Sequence, residues 1–333
     1  MSDPRFLVVR LGSLGDIVHT FPAVAALRES FSASEIIWLT HPRWVELVAS
    51  SGLVSEVWPV DSRDLRSVRQ VIAKIRSSHW HAAIDYQGLW KAAFLPFFGG
   101  VPKRVGFSSA TIREMGVPIL YTESVVCKTT HIADQNGELS LCAGSRHGVA
   151  PFSLHVCPKD EDRVRTDLRN SGLHRYIVLS PGGGWRAKCW PSERFGALCQ
   201  KIHAERGLRS VINYGPGEEA LAEDVRRAGG DANPIVYDGD LGPLMALLHG
   251  AECIVGGDTG PLHLAVALGT RAVALFGPTD PARNGPYPPK DIVLRSPTAA
   301  TTYGRSNVTD PSLFDLSVDA VLAAVKARLG ASA

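Results

Sequence analysis

No apolar run in this 333-residue chain approaches the ~18 residues that a membrane-spanning helix needs. The stretch Met1 to Arg10 holds only Phe6 to Val9 as an apolar run, too short for a signal-peptide core, so the expectation is a cytoplasmic protein. Strong charge is missing as well. A formal net charge of +2 gives no pull toward nucleic acid. The six cysteines, at positions 127, 142, 157, 189, 199 and 253, include no C-x-x-C, which speaks against a zinc site or a disulfide framework. There is no G-K-[ST] of a P-loop and no complete G-x-G-x-x-G, so neither a P-loop NTPase nor an NAD-dependent dehydrogenase is supported. Repeats and low-complexity segments are also lacking.

What is present is alternation. Strand-like runs at Phe6–Val9, Ile36–Thr40, Val57–Val60, Ala82–Asp85 and Arg104–Phe107 are separated by helical patterns at Ile17–Leu27, Arg43–Ser50, Leu65–Arg76 and Trp90–Phe98. A weak strand is expected near Ile119–Tyr121 and a helix over His131–Ala143. After a polar connector at Pro151–Pro158 the alternation restarts. A charged helix spans Lys159–Ser171, and strands follow at Tyr176–Leu179, Ser210–Tyr214, Ile235–Tyr237, Cys253–Gly256 and Ala272–Phe276. Strands alternating with helices argue for parallel sheets covered on both faces. The length suits two domains, set at residues 1–155 and 156–316. A last helix over residues 317–333 presents one apolar stripe, expected to pack on a domain surface, with the first half as a candidate.

Four turns carry chemistry. Leu11 to Asp16, L-G-S-L-G-D, follows the first strand, where open α/β sheets place their active clefts, and Asp16 opens a helix there. Basic residues gather in the loops of this half at Arg10, Arg63, Arg66, Lys91, Lys103, Arg104 and Arg113. Singly each reads as solvated surface; as a set they suit an anionic acceptor. The stretch S-P-G-G-G-W-R-A-K-C-W-P, from Ser180 to Pro191, offers bare glycine amides beside Arg186 and Lys188, which suits a diphosphate. In G-P-G-E-E, from Gly215 to Glu219, a carboxylate stands just past a strand, where it can hold a ribose diol or simply begin a helix. Finally, V-G-G-D-T-G-P-L-H-L-A-V-A-L, from Val255 to Leu268, joins a buried strand to a helix beginning near Pro261. Thr259 or Gly260 serves as its N-cap, with Asp258 just ahead and His263 one turn in. A helix start with unpaired amides seats a phosphate; the same residues also suit an ordinary capped helix.

Taken together, R-L-G-S-L-G-D-I-V-H-T-F-P-A (Arg10 to Ala23), P-G-G-G-W-R-A-K-C-W-P, and G-G-D-T-G-P-L-H-L-A-V-A-L-G with L-F-G-P-T-D-P resemble glycosyltransferase family 9, in that family's order and over nearly the whole chain. Its best-known members are ADP-heptose:lipopolysaccharide heptosyltransferases, and the first motif is more similar to the type I than the type II form. The resemblance implies a GT-B fold: α/β, two doubly wound Rossmann-like domains facing across a cleft. It implies an inverting transfer with no required metal or cofactor. Heptose would move from ADP-heptose to the Kdo-lipid A inner core of lipopolysaccharide, an anionic glycolipid reached at the cytoplasmic face of the inner membrane. A family 9 transferase for another nucleotide-sugar or acceptor, or a GT-B nucleotide-sugar epimerase, stands as the alternative. Asp16 is implied as general base. A carboxylate is a weak base for an alcohol, so either desolvation strengthens it or it mainly caps and orients. The donor set is Lys188, Asp258, Thr259, Gly260 and His263, with Glu218 or Glu219 on the ribose. The acceptor set is Arg10, Ser13, Gly15, Arg63, Arg66 and Arg104.

Overall fold

The structure is a computed structural model. It describes residues 3–112, 114–302 and 306–330, so Arg113 lies outside the described residues. The chain divides into two compact units, Met1–His155 and Val156–Ala333.

The first unit runs β1 (Arg5–Val9), α1 (Leu14–Val18), α2 (Phe21–Ser30), β2 (Glu35–Thr40), α3 (Val45–Ala49), β3 (Glu56–Pro59), α4 (Leu65–Arg76), β4 (Ala82–Asp85), α5 (Trp90–Phe98), β5 (Arg104–Phe107), β6 (Glu123–Val125) and α6 (Ile132–Ala143). Its six strands pair in the order β3-β2-β1-β4-β5-β6, all parallel. Phe6 to Val9 and Ile36 to Leu39 are buried along their whole length. Continuous apolar runs of this kind mark strands covered on both faces.

The second unit runs α7 (Pro158–Asn170), β7 (Tyr176–Ser180), α8 (Ser192–Arg206), β8 (Arg209–Asn213), α9 (Glu219–Gly229), β9 (Ile235–Tyr237), α10 (Leu241–His249), β10 (Cys253–Gly257), α11 (Gly260–Ala267), β11 (Ala272–Phe276), α12 (Pro281–Asn284), β12 (Ile292–Arg295) and α13 (Val318–Leu329). Its sheet is parallel too, ordered β12-β11-β10-β7-β8-β9. Counted from the first strand of each unit, both sheets follow the same 3-2-1-4-5-6 order. The order reverses between the first and fourth strands of such a sheet, which opens a crevice at their carboxyl ends. That position lies between β1 and β4 in one unit and between β7 and β10 in the other.

Three expectations need correction. The helix expected over Ile17–Leu27 is two helices, α1 and α2, because the Thr20 hydroxyl back-bonds to the Asp16 carbonyl at 2.8 Å and Thr20 becomes the N-cap of α2. The weak strand near Ile119–Tyr121 is a 3-10 turn at Val117–Leu120, set by Pro118 in its first turn, and the strand lies beyond it as β6. The expected alternation ends at β11, yet a further strand, β12, pairs with it, and α12 lies between the two. The apolar stripe of α13 packs on a domain surface, as expected of it. Val321, Leu322 and Val325 are buried in the second unit's core with Leu198, Ile202 and Leu275. Ser317 caps this helix, its hydroxyl accepting from Ala320 N–H at 3.1 Å.

Candidate functional site

In the first unit the chemistry gathers where β1 and β4 end. Val9 is paired in register with Asp85, so the residues after each are neighbours. The Arg10 guanidinium is buried and binds the Tyr86 carbonyl through Nη1, while Nη2 lies 2.7 Å from Asp16 Oδ1. The other carboxylate oxygen, Oδ2, accepts from Ser13 N–H (3.2 Å) and Ser13 Oγ–H (3.0 Å). Asp16 is thus fixed by one cation and the helix cap, yet its side chain remains 44% exposed. Gly12 admits the turn past Trp44, since a Cβ there would stand 3.1 Å from the indole nitrogen. His19 is buried, its ring 5.3 Å from that of His131.

Sequence reasoning missed the residues under this turn. Asp85, 1% exposed, accepts from Gln87 N–H (2.8 Å), Gly88 N–H (3.1 Å) and Tyr121 O–H (2.7 Å). The Gln87 side chain in turn accepts from Leu11 N–H at 2.6 Å, tying the β4 loop to the β1 turn. Gly106 makes room for this, because a Cβ there would meet the Tyr121 ring at 2.3 Å. Burial pushes the Asp85 carboxyl up to about 6, against the opposing pull of the Tyr121 hydroxyl, two amides and the Arg10 charge. The available signal was topological: Asp85 ends the strand on the other side of the switch point from Asp16.

The expected acceptor residues divide. Arg10 and Ser13 lie in the turn after β1, and Gly15 in the first turn of α1. Arg63 and Arg66 are exposed in the loop after β3 and the first turn of α4, where Asp61 and Asp64 accept their backbone N–H groups at 2.9 and 2.8 Å. Arg104 is engaged elsewhere. It begins β5 two rungs before the carboxyl edge, and its guanidinium binds the carbonyls of Leu120 (2.7 Å) and Val101 (2.6 Å).

In the second unit the corresponding position lies between β7 and β10. Lys188 Nζ donates to Asp258 Oδ2 at 2.7 Å and to the Asp258 carbonyl at 3.1 Å. Two of three ammonium donors are thereby used and one is left for a ligand. The Trp185 ring lies 4.7 Å from the same ammonium. His263 Nε2 lies 3.0 Å from Asp258 Oδ1. Burial alone would raise the Asp258 carboxyl, but the His263 hydrogen bond and Lys188 charge together hold it well below the usual carboxylate range. Asp258 therefore braces Lys188 and His263. His263, 4% exposed, packs inside the first turn of α11.

Glycines make this arrangement possible. A Cβ on Gly257 would stand 2.8 Å from the Lys188 carbonyl, so the lysine loop crosses the end of β10 only over glycine. Thr259 is the N-cap of α11 in extended conformation, Gly260 follows as the first helical residue, and the Thr259 hydroxyl oxygen is buried with no hydrogen-bond partner.

The two candidate carboxylates, Glu218 and Glu219, are distinguished by position. Glu218 Oε1 accepts from Gly183 N–H (3.1 Å) and Gly184 N–H (3.4 Å), and its Oε2 accepts from Gly215 N–H (2.9 Å). Glu219 bonds within its own turn, accepting from Gly217 N–H at 3.1 Å. Glu218 is the one that faces the glycine loop. The bare amides expected to await a diphosphate are thus held by Glu218.

The sequence family model for glycosyltransferase family 9 (heptosyltransferase) matches residues 68–310. The chain belongs to glycosyltransferase family 9. As a member of that family it is a glycosyltransferase, and the matched span includes Lys188, Glu218, Asp258 and His263 while Asp16 precedes it. It is 26% identical over 338 residues to lipopolysaccharide heptosyltransferase 1 of Pseudomonas aeruginosa, with 94% of this chain and 91% of that protein covered. Its fold superposes on the family 9 glycosyltransferase of Veillonella parvula with a TM-score of 0.85 at 22% identity, covering 99% and 98% of the two chains. On the E. coli heptosyltransferase WaaC with ADP-2-deoxy-2-fluoro heptose the TM-score is 0.71 at 25% identity, covering 95% and 97%. The two doubly wound sheets are those of the GT-B fold.

Proposed function

We propose that this glycosyltransferase moves heptose from ADP-heptose to the Kdo-lipid A inner core of lipopolysaccharide, with inversion at the anomeric carbon, at the cytoplasmic face of the inner membrane. The observation that carries the reading is the buried Lys188–Asp258 pair at the start of α11, within a chain of the heptosyltransferase family. Support for the donor comes from the heptose analogue named with the E. coli relative, and support for the acceptor from the lipopolysaccharide heptosyltransferase of P. aeruginosa.

The chemistry follows from charge. As the acceptor hydroxyl attacks, the anomeric carbon gains oxocarbenium character and negative charge grows on the departing diphosphate. Lys188 and the amides opening α11 meet that charge where it develops, so they bind the transition state more tightly than the ground state. Thr259 offers its unpartnered hydroxyl to the same group. Glu218 holds the ribose hydroxyls. Asp16 takes the hydroxyl proton, with Arg10 and Ser13 holding its carboxylate in place. His263 acts through Asp258.

A donor and acceptor panel tests this. The protein is incubated with ADP-heptose, UDP-sugars and GDP-sugars against Kdo-lipid A, and products are read by mass spectrometry. A single heptose added from ADP-heptose, with the anomeric configuration inverted by NMR, is the expected result. Transfer only from a UDP- or GDP-sugar would overturn the donor assignment.

A further inference from the structure

Helix α5 buries Ala92, Ala93, Leu95 and Pro96 and turns its aromatic residues outward. Phe94, Phe97 and Phe98 are 37%, 40% and 47% exposed. Their rings form a continuous strip: Trp90 to Phe94 at 5.3 Å, Phe94 to Phe98 at 5.5 Å, and Phe97 to Phe98 at 5.3 Å between centroids. The segment packed on this helix extends the strip. Val117 and Leu120 cluster with Ala93 and Trp90, while their neighbours Met115 and Ile119 are 89% and 80% exposed. Contiguous apolar surface rimmed by polar groups marks an interaction site.

The rim is cationic. The Arg104 guanidinium stands 5.4 Å over the Phe97 ring, and Arg76 Nε donates to the Phe98 carbonyl at 2.7 Å. Lys91 is exposed on the same stripe as Phe94 and Phe98, at helical spacing i, i+3, i+7. Helix α5 carries no acidic residue. The nearby Glu114 carboxylate is engaged with the Trp90 N–H at 2.8 Å.

We propose that this face docks on the surface of an anionic phospholipid bilayer. Aromatic side chains with a lysine and arginine border are what an interfacial helix presents to headgroups. Charge complementarity favours lipid over a second copy of the chain. A two-fold contact would bring the Lys91, Arg76 and Arg104 borders against themselves, whereas anionic headgroups neutralise them. The role of this face rests on the reading of a glycolipid acceptor.

The test is sedimentation of the full-length protein with vesicles, without nucleotide sugar. Vesicles of phosphatidylethanolamine with about 30% phosphatidylglycerol are compared with phosphatidylcholine vesicles. The expected result is binding to the anionic vesicles that weakens about tenfold in F97S/F98S and in about 0.5 M salt. Heptose transfer to a deacylated, water-soluble acceptor stays unchanged in that variant. K91E, fully on the surface, is expected to weaken binding to anionic vesicles in the same direction and serves if the double variant does not fold. Failure of the wild type to sediment, or equal sedimentation of the variants, would overturn the proposal. So would a concentration-dependent dimer abolished by F97S/F98S, which would give the face to a second copy. Vesicle binding without any transfer from ADP-heptose would support docking and overturn the proposed function. Transfer to the soluble acceptor without vesicle binding would do the reverse.

Discussion

Lys188 and Asp258 form a buried ion pair, Nζ to Oδ2 at 2.7 Å, with side chains 13% and 9% exposed. They come from loops 70 residues apart that meet because β7 and β10 are neighbours at the point where the strand order reverses. The pair fixes a cation at a helix start, which a flexible surface lysine would not provide.

Removing one member leaves the other buried and unpaired, which typically costs ~3–5 kcal/mol. Asp258→Asn is therefore expected to be destabilised by about that amount near neutral pH and to bind ADP more weakly, measured by urea unfolding and calorimetry. The pH dependence has a definite sign. The folded carboxyl titrates below its unfolded value of about 3.9, so its contribution is fully present above that value and is lost as pH falls through the folded one. The stability gap between wild type and variant should hold from pH 8 to about 5 and close only below about 4.

Asp85 behaves in the opposite sense. Its folded carboxyl titrates at about 6, above the unfolded ~3.9, so the native state binds the extra proton between these values. Stability from this group is present below about 3.9 and falls as pH rises through about 6, a total of about 3 kcal/mol. Asp85→Asn should abolish that decline relative to wild type in unfolding curves taken from pH 4 to 8. Identical pH profiles for the two proteins would count against a buried, titrating carboxyl.

Gly182 lies against Glu218: a Cβ there would stand 2.0 Å from Oε2. Gly182→Ala is expected to displace the carboxylate from the Gly183 and Gly215 amides and to weaken ADP binding by about tenfold. In a Glu218→Ala background the same alanine should cost much less. This double-mutant cycle isolates the contact, and additive effects would refute it.

Much of this was legible in the chain. The alternation of apolar runs with helical patterns specifies two parallel sheets, and the turns after β1, β7, β8 and β10 are where the sequence places chemistry. What was hidden depends on which strands are neighbours. Asp85 ends an unremarkable strand, and only the β1–β4 pairing brings Gln87 and Asp85 beneath the Asp16 turn. Glu218 reaches the Gly183 amide across 35 residues of sequence, which no local spacing announces. Arg104 reads as one more loop cation, yet its guanidinium is committed to two carbonyls. Strand β12 sits in a proline-rich stretch and becomes a strand through its pairing with β11.

Asp16→Asn tests the central claim most directly. Asparagine has nearly the same shape, and its one amide oxygen can still accept from the Ser13 N–H as the helix cap while its NH2 takes the place of the oxygen facing Arg10, so fold and donor affinity should persist. Single-turnover transfer from ADP-heptose is measured beside ADP-heptose affinity. The account predicts affinity within a few-fold of wild type and a transfer rate reduced ~10²–10⁴-fold. A variant that keeps most of its rate would contradict it.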